Sequence, residues 1–392
     1  MDGSLKVKRT GYQDVALVLS GGGARASYQV GVLAAMVERV PDCNVPILTG
    51  VSAGAINAAS LAANPGSFAE AVATLCQNWR RLTSDQVYCV RAMSLLGMVG
   101  RWIFRTATGR RSGPGVLKGL MDMSPLRVYL GSSIEPNGVA RNIESGRLDA
   151  VALTATSYSS GETVTFVEGC EDVPMWRRTM RVAVRTRIEL DHVLASAAIP
   201  IVFPAVKLHD GFYGDGSLRQ TAPLAPAIHL GARRIIAISM RAEPPMRGPA
   251  VPIGDYPTTA EVVSVLFNSV FLDALAADVE RLDRVNQLVE AAQRAGEVPQ
   301  GLKPVDLLVL KPSRDLGALA QGRETKLPRM VRSAVQSIGG KRKKASDLLS
   351  YLLFDPGYIE SLIDLGYSDT LAQWDAVEPF IARCSGCEAT GS

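Results

Sequence analysis

Three short segments of this 392-residue chain carry the groups that acyl-transfer chemistry needs. Gly50-Val51-Ser52-Ala53-Gly54 is a G-x-S-x-G pentapeptide. Where a strand turns sharply into a helix, that pattern pushes the serine hydroxyl out at the end of a sheet, and Gly50 and Gly54 let neighbouring segments approach. The helix start behind the serine offers free N–H groups and partial positive charge to an alkoxide-like transition state. Upstream, Gly21-Gly22-Gly23-Ala24-Arg25 sets glycines at the opening of a helix, where bare backbone N–H groups can meet the oxygen that turns negative in a tetrahedral intermediate. Arg25 either holds that loop in shape or adds positive charge. The plainer reading of the pentapeptide is a tight turn packed on a helix. The competing reading of the glycine loop is a dinucleotide site, but Ala26 stands where the third glycine belongs, and Asp42 follows Pro41 instead of ending a strand.

A serine nucleophile needs a base, and in most serine hydrolases that base is a histidine. Only His192, His209 and His229 are present. His192 precedes an expected helix, His209 sits at a turn and His229 lies beyond a proline-rich stretch, so none falls in a strand-end loop after the acid. A carboxylate can serve instead if it touches the serine and stays ionised. Asp210-Gly211 separates two apolar segments and reads as a hairpin turn of the Asp-Gly kind. Asp215 follows Phe212-Tyr213, with Gly214 and Gly216 on either side to admit a neighbouring side chain, and is the expected base.

Such residues need a parallel sheet to bring them together. Residues 15–19 are a strand-like apolar run, residues 28–40 carry Val30, Leu33 and Val37 at helical spacing before Pro41, residues 46–49 form a second strand and residues 53–63 a second helix. Strand, helix, strand, helix predicts an α/β fold whose parallel sheet is covered on both faces. Further strands are expected at 150–156, 163–167, 212–214, 234–239 and 306–310, with a long helix, open to a break, over 259–295. The Pro- and Gly-rich residues 241–257 mark a change of character. Beyond Lys311 the chain reads as helical and more polar. The Lys-Arg-Lys-Lys run at 341–344 reads as a solvated surface, with a lipid-contacting patch as the alternative.

Composition narrows the function classes. With 42 Lys and Arg against 38 Asp and Glu, the net charge of +4 does not supply the basic face of a nucleic-acid binder. Six cysteines scattered over this length do not form a disulfide framework, so reduced thiols in a cytoplasmic setting are expected. Cys384 and Cys387 form a lone C-x-x-C without the partners of a zinc site or the strand-to-helix context of a redox motif. No apolar leader is readable, and no run approaches the ~20 apolar residues that span a bilayer.

Together and in this order, the motif at residues 21–25, the pentapeptide at 50–54, Asp215-Gly216 and the intervening ASAAIPIVFPAV at 195–206 resemble the patatin-like phospholipase family over residues 15–240. Weaker echoes fall at KPSRD, residues 311–315, and around residues 348–365. The resemblance implies a three-layer sandwich with a mainly parallel central sheet, followed here by C-terminal helices. It implies Ser52 as nucleophile, Asp215 as base and the loop Gly21, Gly22, Gly23, Ala24 and Arg25 as oxyanion hole, with no metal or cofactor. Ala26 and Ser217 stand where the family often has glycine, which questions loop detail and not the chemistry. The expected organisation is a tail at 1–14, a catalytic domain at 15–312 and a helical segment at 313–392.

The expected reaction is hydrolysis of a lipid acyl ester through an acyl-Ser52 intermediate, with Asp215 first taking the serine proton and then activating water. A thioesterase or acyltransferase on the same pair, or a non-catalytic lipid-binding protein, are the alternatives; the intact Ser52, Asp215 and glycine loop count against the last. The expected partner is a lipid or acyl ester, with no nucleic acid and with contact at a membrane surface. Residues 91–111 supply one route to that contact: Leu95, Met98, Val99, Trp102 and Ile103 share a helical face, flanked by Arg91, Arg101, Arg105, Arg110 and Arg111. Gly97 and Gly100 weaken such a helix, as suits a movable cover; permanent packing on the sheet is the competing reading.

Overall fold

The computed structural model describes residues 15–90, 119–242, 256, 259–296, 302–337 and 349–382. The predicted cover at 91–111, the basic run at 341–344 and the Cys384/Cys387 pair lie outside the described residues.

β1 (Val15–Leu19) sends Val15, Leu17 and Leu19 into one hydrophobic core and Ala16 and Val18 into a second. That alternation of apolar residues on both faces is what a strand in the middle layer requires. The chain then passes the glycine loop into α1 (Ser27–Arg39), which stops just before Pro41. β2 (Ile47–Val51) runs parallel to β1 and enters α2 (Ala53–Ala63), whose small side chains let it lie close on the sheet. α3 (Phe68–Arg81) adds to the expected elements. It opens with a capping box, in which the Glu70 N–H donates to Ser67 Oγ at 3.2 Å and the Ser67 N–H to Glu70 Oε2 at 2.7 Å.

β3 (Cys89–Val90) and β4 (Met121–Asp122) make a separate two-stranded pair, followed by α4 (Ser124–Ser133). The sheet continues with β5 (Ala150–Ser157), β6 (Thr163–Gly169), β7 (Arg177–Arg178) and β8 (Arg181–Arg185). After α5 (Leu190–Ser196) come β9 (Val206–Leu208) and β10 (Gly211–Asp215). Their pairing starts at Leu208 opposite Gly211, so the turn is His209-Asp210 and not Asp210-Gly211: Gly211 is already a strand residue. β11 (Arg234–Ile238) precedes α6 (Thr259–Phe271) and α7 (Asp273–Arg294), the expected long helix bent by 41° beside Leu272. β12 (Asp306–Leu310) completes the sheet, and α8 (Pro356–Ala372) and α9 (Trp374–Ala382) close the described chain.

The strand order is β12-β11-β1-β2-β5-β6-β8-β7, with β12 through β5 mutually parallel and β6 antiparallel to β5. Helices cover both faces: α1, α2, α3 and α8 share one core, and α7 packs on the other. α8 lies so close on α1 that a Cβ on Gly31 would run into the Ile363 carbonyl, and one on Gly366 into the Tyr28 carbonyl. The Tyr28 hydroxyl donates to Asp369 Oδ2 at 3.1 Å across this contact. Among the described residues no single helix is long and apolar enough to cross a membrane.

The pairing on β5 decides the geometry of the site. β6 covers one edge of β5 from Ala150 to Thr156. On the other edge β2 pairs only as far as Val51 opposite Thr154, and there the antiparallel β10 takes over, with Asp215 opposite Ala155. The residue that leaves the sheet, Ser52, therefore turns out where β10 arrives.

Candidate active site

Ser52 sits in the turn between β2 and α2 with φ 57° and ψ −131°, a conformation that non-glycine residues rarely adopt and that costs of order 1–3 kcal/mol. Its surroundings fix that turn. The Ser52 N–H donates to Ser196 Oγ at 3.1 Å, and the Ser196 hydroxyl donates to the Thr154 carbonyl at 2.6 Å. The Ser52 carbonyl accepts from Ala55 N–H at 2.9 Å, which starts α2. Gly50 and Gly54 are needed where backbone meets backbone: a Cβ on Gly54 would strike the Leu19 carbonyl, and one on Gly50 the Gly54 carbonyl.

Asp215 ends β10 and is fully buried. Its N–H donates to the Ala198 carbonyl and its own carbonyl accepts from Thr156 Oγ1, both at 2.9 Å, so the backbone is held on two sides. Oδ1 accepts from the Ser217 N–H at 2.9 Å. Oδ2 is buried and receives no hydrogen bond of regular geometry. Burial pushes the Asp215 carboxyl up to about 6, and the nearby hydroxyls of Ser52 and Ser217 and the Ser217 N–H restrain that rise. Such a group is mostly ionised at neutral pH yet basic enough to take a proton.

The glycine loop lies against both. A Cβ on Gly21 would come within 2.8 Å of Ser52 Cβ and of Ser217 Oγ. Gly23 has φ 56° and its backbone abuts that of Tyr351. Of the five loop residues, Ala24 donates its N–H to the Tyr351 carbonyl at 3.0 Å and Arg25 its N–H to the Gly22 carbonyl at 3.1 Å. The N–H groups of Gly22 and Gly23 meet no acceptor among the described residues. Arg25 is buried, donates from Nε to Ser350 Oγ at 2.8 Å and lies 4.2 Å over the Tyr351 ring, so its charge faces the C-terminal segment.

A relay of buried amides fixes the loop from beneath: Gln29 Nε2 donates to the Ser20 carbonyl, Asn57 Nδ2 to Gln29 Oε1, and Trp79 Nε1 to Asn57 Oδ1, at 2.8, 2.8 and 2.7 Å. Ser196 lies within the 195–206 block and Ser350 and Tyr351 within the echo at 348–365, but those segments do not disclose these contacts, and nothing in the motifs discloses the relay. Ser217 stood out in the sequence only as a departure from glycine, yet it holds Asp215 Oδ1.

The histidines are engaged elsewhere. His192 lies in α5, where Nδ1 accepts from the Glu189 N–H at 3.0 Å and the ring packs edge-on to Phe166. His229 packs against Trp176, with its pKa lowered by burial and then by Arg178 and Arg181. His209 is in the β9–β10 turn.

Ser52 opens onto a cleft walled by α2, α3, α4 and the segment around Tyr351, and the walls are chiefly apolar: Ile56, Leu75, Trp79, Leu126, Leu130 and Phe354.

The family profile for patatin-like phospholipase matches residues 17–228. The chain belongs to the patatin-like phospholipase family. Its mainly parallel sheet between helical layers is the patatin-like architecture. No curated protein matches the chain in sequence. Its structure is similar to that of VipD from Legionella pneumophila, at 12% identity and a TM-score of 0.34, covering 93% of this chain and 67% of that one. It is also similar to human GIVD cytosolic phospholipase A2 in complex with methyl gamma-linolenyl fluorophosphonate, at 11% identity and a TM-score of 0.45, covering 96% and 60%. A third likeness is to the type III effector ExoU of Pseudomonas aeruginosa, at 15% identity and a TM-score of 0.29, covering 95% and 61%. The patatin-like chain thus spans only 60–61% of the second and third of these.

Proposed function

We propose that this patatin-like protein hydrolyses a lipid acyl ester with Ser52 as nucleophile and Asp215 as the only side-chain base. The observation that carries the proposal is the register on β5, which sets a buried carboxylate beside a serine held at φ 57°.

The substrate acyl chain enters the apolar cleft and its carbonyl carbon comes to Ser52 Oγ. Asp215 accepts the hydroxyl proton as the Oγ–C bond forms, and the carbonyl oxygen, now negative, faces the unengaged N–H groups of Gly22 and Gly23. Collapse of the intermediate breaks the ester C–O bond, and the departing alkoxide takes the proton from Asp215. Water then attacks acyl-Ser52 while Asp215 accepts its proton; the acid leaves, and the proton returns to Ser52 Oγ. A short, buried carboxylate held by the Ser217 N–H and by the β5 ladder suits these successive proton transfers. The reading extends to a protein in a cytoplasmic setting that touches a lipid surface.

The test is hydrolysis of a panel of phospholipids and neutral glycerides in mixed micelles, with products identified by mass spectrometry. Wild type should release free fatty acid from at least one class, and Ser52→Ala should lose several orders of magnitude. Retention by Ser52→Ala of more than about a tenth of the turnover would contradict the assignment.

A further inference from the structure

We propose that Leu130 limits the length of acyl chain accepted at Ser52, because its side chain is the wall between the cleft at the nucleophile and a second, larger cavity. The inference rests on the acyl-hydrolase reading and asks which substrates that site selects.

The cleft is a narrow slot with room of about 50 Å³. It begins at Gly23 and Ser52 and follows α2 past Ile56 to Ser60. From Ser52 to Ser60 the helix advances by about 12 Å, which sets the length of the slot and not its free room. Two hydroxyls along the slot are turned into its own walls: the Tyr129 hydroxyl donates to the Asn78 carbonyl and the Ser133 hydroxyl to the Tyr129 carbonyl, both at 2.8 Å.

The other side of α2, at Ala59 and Ala63, faces a cavity of about 440 Å³ that Ile134, Val139 and Val193 also line. Leu130 is the one described residue that lines both spaces. It stands on α4 one turn after Leu126, which lines the slot alone, and it is 2% exposed. A chain longer than the slot must displace the Leu130 side chain to go on. Trimming that side chain joins the two spaces and gives the tail room to go on beside Ile134, Val139 and Val193, in a cavity that Glu135, Glu168, Arg187 and Glu189 also line. Enlarging it shortens the slot. A difference of one or two methylenes of fit in an apolar pocket is worth tenfold or more in kcat/KM, so the wall should be legible in a chain-length profile.

The experiment measures kcat/KM for p-nitrophenyl butyrate, octanoate and palmitate in one fixed detergent. It compares wild type, Leu130→Ala, Leu130→Val, Leu130→Phe and, as a control on the exposed side of the same helix, Val128→Ala, with a thermal melt on each. The palmitate-to-butyrate ratio should rise at least about fivefold in Leu130→Ala, less in Leu130→Val, and fall in Leu130→Phe, while Val128→Ala stays within about twofold of wild type. Should Leu130→Ala fail to fold, the opposite shifts of the Val and Phe variants decide the same question. An unmoved ratio in folded Leu130 variants, or an equal rise in Val128→Ala, overturns the proposal. Butyrate turnover separates this outcome from failure of the wider reading. Folded variants that hydrolyse butyrate by Ser52, and whose ratio does not move, remove the wall alone; a wild type whose butyrate turnover survives Ser52→Ala removes the reading itself.

Discussion

Ser52 and Asp215 meet at one edge of β5, where Val51 pairs with Thr154 and Asp215 with the very next residue, Ala155. Two strands approaching that edge from opposite directions end against each other, and the residue expelled by one is presented to the residue that ends the other. The pairing register therefore brings a serine and a carboxylate together without an intervening imidazole.

Asp215 sets an acid limit on activity. In the proposed role only the ionised carboxylate accepts the Ser52 proton, and burial has pushed its pKa up to about 6. The kcat/KM for a short p-nitrophenyl ester should fall below about pH 6, close to tenfold for each further pH unit. A profile flat down to pH 4.5, in protein shown by circular dichroism to remain folded, would exclude Asp215 as the base.

Ser217 tunes that limit. Its N–H donates to Asp215 Oδ1, and its hydroxyl, buried close by without a hydrogen bond of regular geometry, also favours the ionised form; Ser217→Ala removes the hydroxyl alone. The acid limb of Ser217→Ala should therefore move to higher pH, with the plateau rate reduced much less than in Ser52→Ala. A limb that stays in place, or moves down, contradicts this account of the Asp215 environment.

Asp215 also carries a stability cost. Its folded pKa, about 6, lies above the ordinary 3.8, so its stabilising contribution is present below pH 3.8 and is lost as pH rises through 6. At 1.36 kcal/mol for each pH unit, the ionised form costs roughly 3 kcal/mol at pH 8. Asp215→Asn keeps the shape and an acceptor for the Ser217 N–H, and removes the charge. Urea unfolding should show Asp215→Asn inactive but more stable than wild type at pH 8, with the gap closing toward pH 4. Equal stability at both pH values would mean that the carboxylate is solvated.

The short-range parts of this arrangement are legible in the sequence because local chemistry specifies them. The apolar run of β1, the small residues of α2, the glycines around Ser52 and the glycine pair flanking Asp215 each state their conformation within a few residues. The supporting contacts do not. Ser196 reaches Ser52 from 144 positions away and Ser350 reaches Arg25 from 325, so no spacing rule could pair them. The glycine loop shows the same limit: its backbone N–H groups look equivalent in sequence, yet Tyr351 engages that of Ala24 and only the fold shows which donors stay free. The β9–β10 turn differs from the Asp-Gly expectation because Gly211 pairs with Leu208, and ladder register outweighed turn preference.

α8 is predicted to be required for the site, since it packs on α1 and begins at Pro356, directly after the Tyr351 segment that clamps the loop. Gly366→Ala places a methyl group against the Tyr28 carbonyl where α8 crosses α1. Overpacking of this kind costs about 1–3 kcal/mol, so the melting temperature should drop. Activity at a temperature where the variant is still folded should also fall, because displaced α8 carries Tyr351 away from Gly23 and Ala24. Full activity alongside a lowered melting temperature would show that the loop holds its shape without the clamp.

The most direct measurement is labelling by a fluorophosphonate, which phosphonylates a serine only where a base and oxyanion donors activate it. Wild type should take up one label per chain, mapped by peptide mass spectrometry to Ser52. Asp215→Asn should label at least about a hundredfold more slowly, while His192→Ala, His209→Ala and His229→Ala label at near wild-type rates. A label on another serine, or a folded histidine variant as unreactive as Asp215→Asn, would contradict the two-residue mechanism.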